Sequence, residues 1–340
     1  MSFLDENSEK PPEQNSGTEP TEDSAHRPAG AATPAEPPAL PLLGDPISYV
    51  AVNPAAAHLP SLKLPEDLRI SWSWVHLLVF TLFGFISLML VQVAFAIYYL
   101  PANRHFADKH EFEQFVFSKP LFAIGSMVIW EASLIFFLYV TIALLPSAPF
   151  WRSLGWRTLP SREPGIIRKP WPYLFLGCAL SIGVFVVNAR TKAPENAPIE
   201  ELFKHRTTMF LFMAMAVLFA PLVEETLFRG YLYPLVVRLT SSIASSFGVE
   251  SSAAVRQGVG TSIVLTGVLF GVVHGYQLGW SVSLVFTLIV VGIVFTYVRA
   301  RSGTVYASYL LHLGYNSTIA IATLIGFVAT KGFTQMPPHH

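Results

Sequence analysis

From residue 72 onward, apolar residues arrive in runs long enough to cross a bilayer. The runs cover residues 72–100, 121–145, 171–188, 207–223, 259–275, 281–298 and 305–329. A spanning helix needs roughly 20 mostly apolar residues, so these runs predict seven spans. Pro101 and Pro146 close the first two. The fourth run is short and leads directly into Glu224 and Glu225. Residues 224–239 are a candidate eighth half-helix, because Gly230 and Pro234 argue against a straight continuation. The fifth and sixth runs are separated only by a tight polar hinge, Tyr276-Gln277-Leu278-Gly279. The expected fold is an all-α polytopic membrane bundle of about seven to eight transmembrane helices.

Composition agrees with the pattern. Hydrophobic residues make up 52% of the chain and charged residues only 13%, where a soluble domain carries about 25% charged residues. The zero net charge hides an asymmetry: residues 1–70 hold 11 acids and 4 Lys/Arg, and the rest 11 acids and 18 Lys/Arg. The first 70 residues also hold 12 of the 26 prolines. Such a segment buries too little surface to offset its ordering entropy and is expected to be a disordered acidic tail. It has no basic region ahead of an apolar core, so it is not a secretory signal peptide. The expected organisation is this tail over 1–70, two N-terminal spans over 71–148, and a membrane domain over 149–330. Lys and Arg near the span ends favour a cytoplasmic N-terminus by a modest margin. Residues 108–117 place Phe112, Phe115 and Val116 on one helical side, which reads as an interfacial helix. The single cysteine, Cys178, forms no intrachain disulfide and reads as a small buried side chain.

Charges inside a hydrocarbon layer are costly and persist where they pair or do chemistry. Glu224, Glu225, Arg229, His274, His312 and Asn316 lie within spans or at their edges. Glu225 and Arg229 are i,i+4 and can pair on one helix face, while Glu224 is turned about 100° away. Phe270 and His274 share the same spacing on the fifth run, and His312 and Asn316 on the last. Three helices can thus aim one carboxylate, two imidazoles and one amide at a common point. That set suits amide hydrolysis, which needs a base for water, a proton for the leaving amine and donors for the oxyanion. Glu224 with His274 would activate the water, and His312 with Asn316 would bind the oxyanion. Glu225 and Arg229 would be a supporting pair. The same residues leave a second chemistry open: Glu224, His274 and His312 are a ligand set for zinc with water in a fourth position. The HExxH helix motif of soluble metalloproteases is absent.

Glu224-Glu225-x-x-x-Arg229, Phe270-x-x-x-His274 and His312-x-x-x-Asn316, in this order, resemble the three motifs of the CPBP family of CAAX proteases and bacteriocin-processing enzymes, also called Abi proteins. The local context is similar too: Leu154-Gly155-Trp156-Arg157, Phe228-Arg229-Gly230-Tyr231-Leu232 and Ser302-Gly303-Thr304. The resemblance covers roughly residues 150–330. It implies an intramembrane endopeptidase similar to type II CAAX prenyl endopeptidases, acting in a multi-pass protein of a bacterial inner membrane. It implies Glu224 and His274 as water activators, His312 and Asn316 as oxyanion ligands, and Phe270 as a supporting residue. The implied partner is a protein or peptide substrate in or at the lipid bilayer, with no nucleic acid.

Blander readings stand beside this one. The charged cluster alone would suit a non-catalytic immunity or chaperone-like membrane protein, or a proton-coupled transporter. No inverted repeat of the kind common in transporters is visible. Glu131, in the second run, reads as a structural partner for a polar group on another helix. Glu200, Glu201 and His205 mimic a site, but Pro198 opens a helix there, and acids in a first turn need no chemistry. One tension is geometric. His274 lies about 22 Å into its run and His312 about 12 Å into its own. Their rings meet only if the fifth helix starts deeper, tilts, or is preceded by polar backbone lining a cavity.

Overall fold

The computed structural model describes residues 62–100, 105–108, 111–112, 115–116, 118–159, 168–190, 199, 202–203 and 206–329. Among them there are only helices and turns. Seven helices are long and apolar enough to cross a membrane: α1 Trp74–Tyr99, α2 Pro120–Leu144, α3 Trp171–Asn188, α4 Arg206–Ser246, α5 Ser251–Val273, α6 Val282–Ser302 and α7 Val305–Ala329. The chain is thus an all-helical, multi-pass integral membrane protein. Residues 1–61, the acidic pair Glu200/Glu201 and His205 lie outside the described residues, as does half of 108–117. Glu111, Phe112, Phe115 and Val116 are helical, and Val116 packs with Ile124, Leu202 and Met215.

Two expectations change. The fourth run does not break at Gly230: α4 is continuous for 41 residues, about 62 Å, twice the hydrocarbon thickness. There is no separate eighth half-helix. The fifth helix starts at Ser251, eight residues ahead of the apolar run, where Glu250 accepts from the amides of Ser252 and Ala253.

The continuity of α4 has a local cause. Proline lacks an N–H and its ring collides with the carbonyl four residues back. Ahead of each such proline the helix widens to i→i+5 bonding, and in α4 it then continues past the proline. Met215–Phe219 precedes Ala220-Pro221, Thr226–Leu232 precedes Tyr233-Pro234, and in α2 Tyr139–Leu144 precedes Leu145-Pro146. In each case the residue before proline bonds five back: Ala220 to Met215, Tyr233 to Phe228, Leu145 to Val140.

Helix association in lipid rests on close packing of small residues rather than on hydrophobic burial. Gly267 and Gly271 of α5 lie against the backbone of Ile293 and Ile289 of α6, so a Cβ at either would meet backbone nitrogen at 2.7 Å. Gly177 of α3 and Gly314 of α7 are closer still: a Cβ would fall on the carbonyl oxygens of Leu311 and Leu174, respectively. A Gly314→Leu protein should therefore lose about 3 kcal/mol or more, the upper end of overpacking costs. Thermal unfolding in detergent checks this. The expected sign reverses the usual gain from removing a helical glycine.

The residues ahead of α1 are also structured. Leu68 and Trp72 are buried. Arg299, at the end of α6, is fully buried and donates to the Asp67 carboxylate at 2.9 Å and the Asp67 carbonyl at 3.1 Å. Arg157 and Arg152 reach Glu66 at 3.0 and 3.5 Å. The charge of Arg157 first, then the bond from Arg152, holds the Glu66 carboxyl below the usual carboxylate range. The motif contexts noted in the sequence meet here. Thr304 accepts from the Arg157 amide and donates to the Arg157 carbonyl, and the Val305 amide donates to the Gly155 carbonyl at 3.0 Å. Gly155 has a φ of 77° and faces the Arg299 guanidinium, which leaves no room for a side chain.

Candidate active site

The three motifs lie on α4, at the end of α5 and on α7, and the bundle brings them together. Glu224 stands between the two imidazoles. Its Oε1 is 3.7 Å from Nε2 of His274 and its Oε2 is 3.8 Å from Nε2 of His312. The depth tension is thereby resolved. The rings meet although His274 lies 23 residues past the start of α5 and His312 seven past the start of α7.

Adjacent glutamates divide as the helical period predicts. Glu224 lines a cavity, while Glu225 is fully buried. Oε1 of Glu225 accepts from Arg229 at 3.1 Å and from Nδ1 of His312 at 3.0 Å. Arg229 is equally buried and is held from three sides. It donates to the Gly292 carbonyl at 3.0 Å. Its guanidinium sits 4.5 Å from the Phe270 ring centroid, 5.3 Å from Phe295 and 5.7 Å from Phe228. Cation–π contacts are worth most when desolvated, as here. Gly292 lets α5 and α6 pack closely there, because a Cβ would meet the Gly267 carbonyl at 2.9 Å.

The second partner of each ring fixes its tautomer. His274 Nδ1 lies 2.6 Å from the Phe270 carbonyl, which can only accept. Nδ1 therefore carries the proton, and Nε2 faces Glu224. In His312, Nδ1–H donates to the Glu225 carboxylate, so again Nε2 faces Glu224. Asn316 donates from Nδ2 to the Ala216 carbonyl at 2.8 Å. Phe270 touches every part of this arrangement: it stacks under Arg229, abuts the His274 ring at 4.8 Å and meets the His312 ring edge-on at 6.0 Å.

A cavity of about 300 Å³ opens in front of these groups. Glu224, His274, His312 and Asn316 all line it, and its other walls are mostly apolar, with Phe212, Met215, Leu288 and Ile319 among them. Glu131 lines it too. Its Oε2 is buried without a hydrogen bond. An isolated acid in an apolar run was the available signal, and no motif spacing tied it to the site.

Zinc does not fit these residues as placed. Each imidazole faces a different oxygen of Glu224, so the three donors do not converge on one centre. Among the described residues no three His, Cys, Asp or Glu side chains form a metal-holding group.

The wide turn that carries Arg229 is braced from outside. Trp72 donates to the Tyr231 carbonyl at 3.2 Å and stacks on its ring at 5.5 Å. His76 links the Tyr231 hydroxyl at 2.7 Å to Thr141 at 2.9 Å. Thr141 spends its own proton on the Phe137 carbonyl, so His76 donates from Nε2 and accepts from Tyr231 at Nδ1. Trp156 donates to Thr226 at 3.1 Å. Sequence reasoning missed Trp72, His76 and Thr141, because nothing in a lone His76 or Trp72 marks its partner.

No match to this chain was found among curated proteins or among solved structures. Residues 206–318, which contain all three motifs, match the family model Rce1-like, described as type II CAAX prenyl endopeptidase Rce1-like, and over that segment the match bears out the resemblance to the CAAX-protease family.

Proposed function

We propose that the chain is an intramembrane endopeptidase, with residues 149–330 as its protease domain. The observation that carries this reading is the placement of Glu224 between the Nε2 atoms of His274 and His312 at the polar end of an apolar cavity. The family match over the same residues supports it. The substrate is a peptide bond close to a membrane-embedded or C-terminal, CAAX-like segment, and the apolar cavity walls suit such a segment. The protein acts from a bacterial inner membrane with its N-terminus in the cytoplasm.

The chemistry follows from proton positions. A water beside the Glu224–His274 pair, about 2.8 Å from each, touches both the carboxylate and the free Nε2. As its oxygen bonds to the substrate carbonyl carbon, Glu224 takes its proton. The carbonyl oxygen becomes an oxyanion. Asn316 and the Nε2–H of a protonated His312 donate to it. Collapse restores the carbonyl and breaks the C–N bond, and Glu224 returns the proton to the departing amine. Glu225 and Arg229 react with nothing. They hold the His312 ring and balance each other's charge.

Because the donors do not converge on one centre, cleavage should proceed without an added metal. The purified protein, incubated with a library of peptides that carry apolar or prenylated C-terminal segments, should give the same products with and without a strong chelator, read by mass spectrometry. Complete loss on chelation, restored by zinc, would replace the glutamate mechanism with a metal one.

A further inference from the structure

We infer that Pro221 is a positioning residue for Asn316, acting through a backbone carbonyl that it leaves without a donor. The inference rests on the peptidase reading above, since that reading gives Asn316 its task. In a regular helix the Ala216 carbonyl would accept from the amide of residue 220. Here Ala220 bonds to Met215 instead, five residues back. The next amide in the widened pattern belongs to residue 221, and proline has none. The Ala216 carbonyl is therefore orphaned by two features acting together, the wide turn over Met215–Phe219 and the proline that follows it.

An unpaired carbonyl away from water costs free energy comparable to a lost hydrogen bond. Asn316 supplies the missing donor: its Nδ2 meets the Ala216 oxygen at 2.8 Å, across 100 residues of sequence. One N–H of the amide is thereby fixed, and the plane and direction of the side chain with it. Both Ala216 and Asn316 line the cavity. An amide nitrogen carries two protons, so the second is left to donate there. Without the orphan carbonyl the Asn316 amide would be free to turn, and its oxygen would face a developing oxyanion as readily as its nitrogen does.

The same sequence device, a widened stretch followed by one residue and a proline, occurs at Pro146 and Pro234. Among the described residues, it is only at Pro221 that a side chain of the site closes the gap.

The test uses the full chain in detergent. In the parent, one of the two Asn316 side-chain amide protons should exchange with solvent more slowly than the other, read by NMR on asparagine-labelled protein. Pro221→Ala restores an amide that competes for the Ala216 carbonyl, so that protection should vanish. With a cleavable peptide, Pro221→Ala should lower kcat about tenfold and leave KM within about twofold, a loss in the range of one oxyanion donor made less reliable. In an Asn316→Ala background the same change should have no further effect on kcat. Equal, fast exchange of both amide protons in the parent overturns the proposal and needs no variant. So does a Pro221→Ala loss of the same size with Asn316 absent. If the parent cleaves no peptide, the peptidase reading fails while the exchange measurement still decides whether Pro221 orients Asn316.

Discussion

A Glu224→Gln protein should fold like the parent, bind the same peptides, and cleave them about a hundred to ten thousand times more slowly. The range is that of a lost general base. The substitution preserves shape, and Glu224 is one-fifth exposed on the cavity wall rather than locked in the core, so a folding defect is not expected. Glutamine cannot take the proton from water, and it cannot return one to the amine, so both halves of the reaction suffer. The measurement is kcat against peptide affinity, with affinity read on the variant itself by fluorescence anisotropy. Equal loss of affinity and turnover would mean that Glu224 holds substrate rather than activates water. Cleavage at the parent's rate would refute the mechanism.

Arg229→Met should fail for a different reason. It leaves Glu225 fully buried with His312 Nδ1 as its remaining partner. Breaking a buried ion pair from one side typically costs about 3–5 kcal/mol, whereas replacing both charges with apolar groups is often near neutral. The single variant should therefore unfold at markedly lower temperature or denaturant. Glu225→Leu with Arg229→Met should recover most of that stability. It should not recover activity, because the His312 ring then loses the carboxylate that fixes its Nδ1. A double variant that is both stable and active would show that the pair serves the fold alone. A double variant no more stable than the single one would show that Arg229 matters through its three aromatic contacts rather than through its charge.

Much of this site was legible in the sequence because helical periodicity is strict. Spacing alone separates Glu224 from Glu225 and pairs the latter with Arg229. Motif order placed His274 and His312 on different helices but not at one depth, because a helix can begin in polar sequence. Ser251–Gly258 contains serine, arginine and glutamine, yet it is helical, so the apolar run did not mark where α5 begins. Prolines misled in one direction. Ahead of Pro146 the second helix ended as expected. At Pro234 the helix widened and continued, because tertiary braces such as Trp72 on Tyr231 hold it there. Long-range partners carry no local signature. Asp67 and Arg299 lie 232 positions apart, and an aspartate ahead of a first span does not announce an arginine at the end of a sixth.

The wide turns of α4 also bear on how much this helix can drift in length. A stretch bonded i→i+5 holds about one residue more than a regular helix of equal bonding, so it works as a stored insertion. The two stretches lie on either side of Val223-Glu224-Glu225. Relaxing one of them while deleting a single nearby residue would restore regular winding without rotating the acids away from the histidines. The same deletion with the wide turn retained would swing them by about 100°, carrying one glutamate into the other's place and turning the other away.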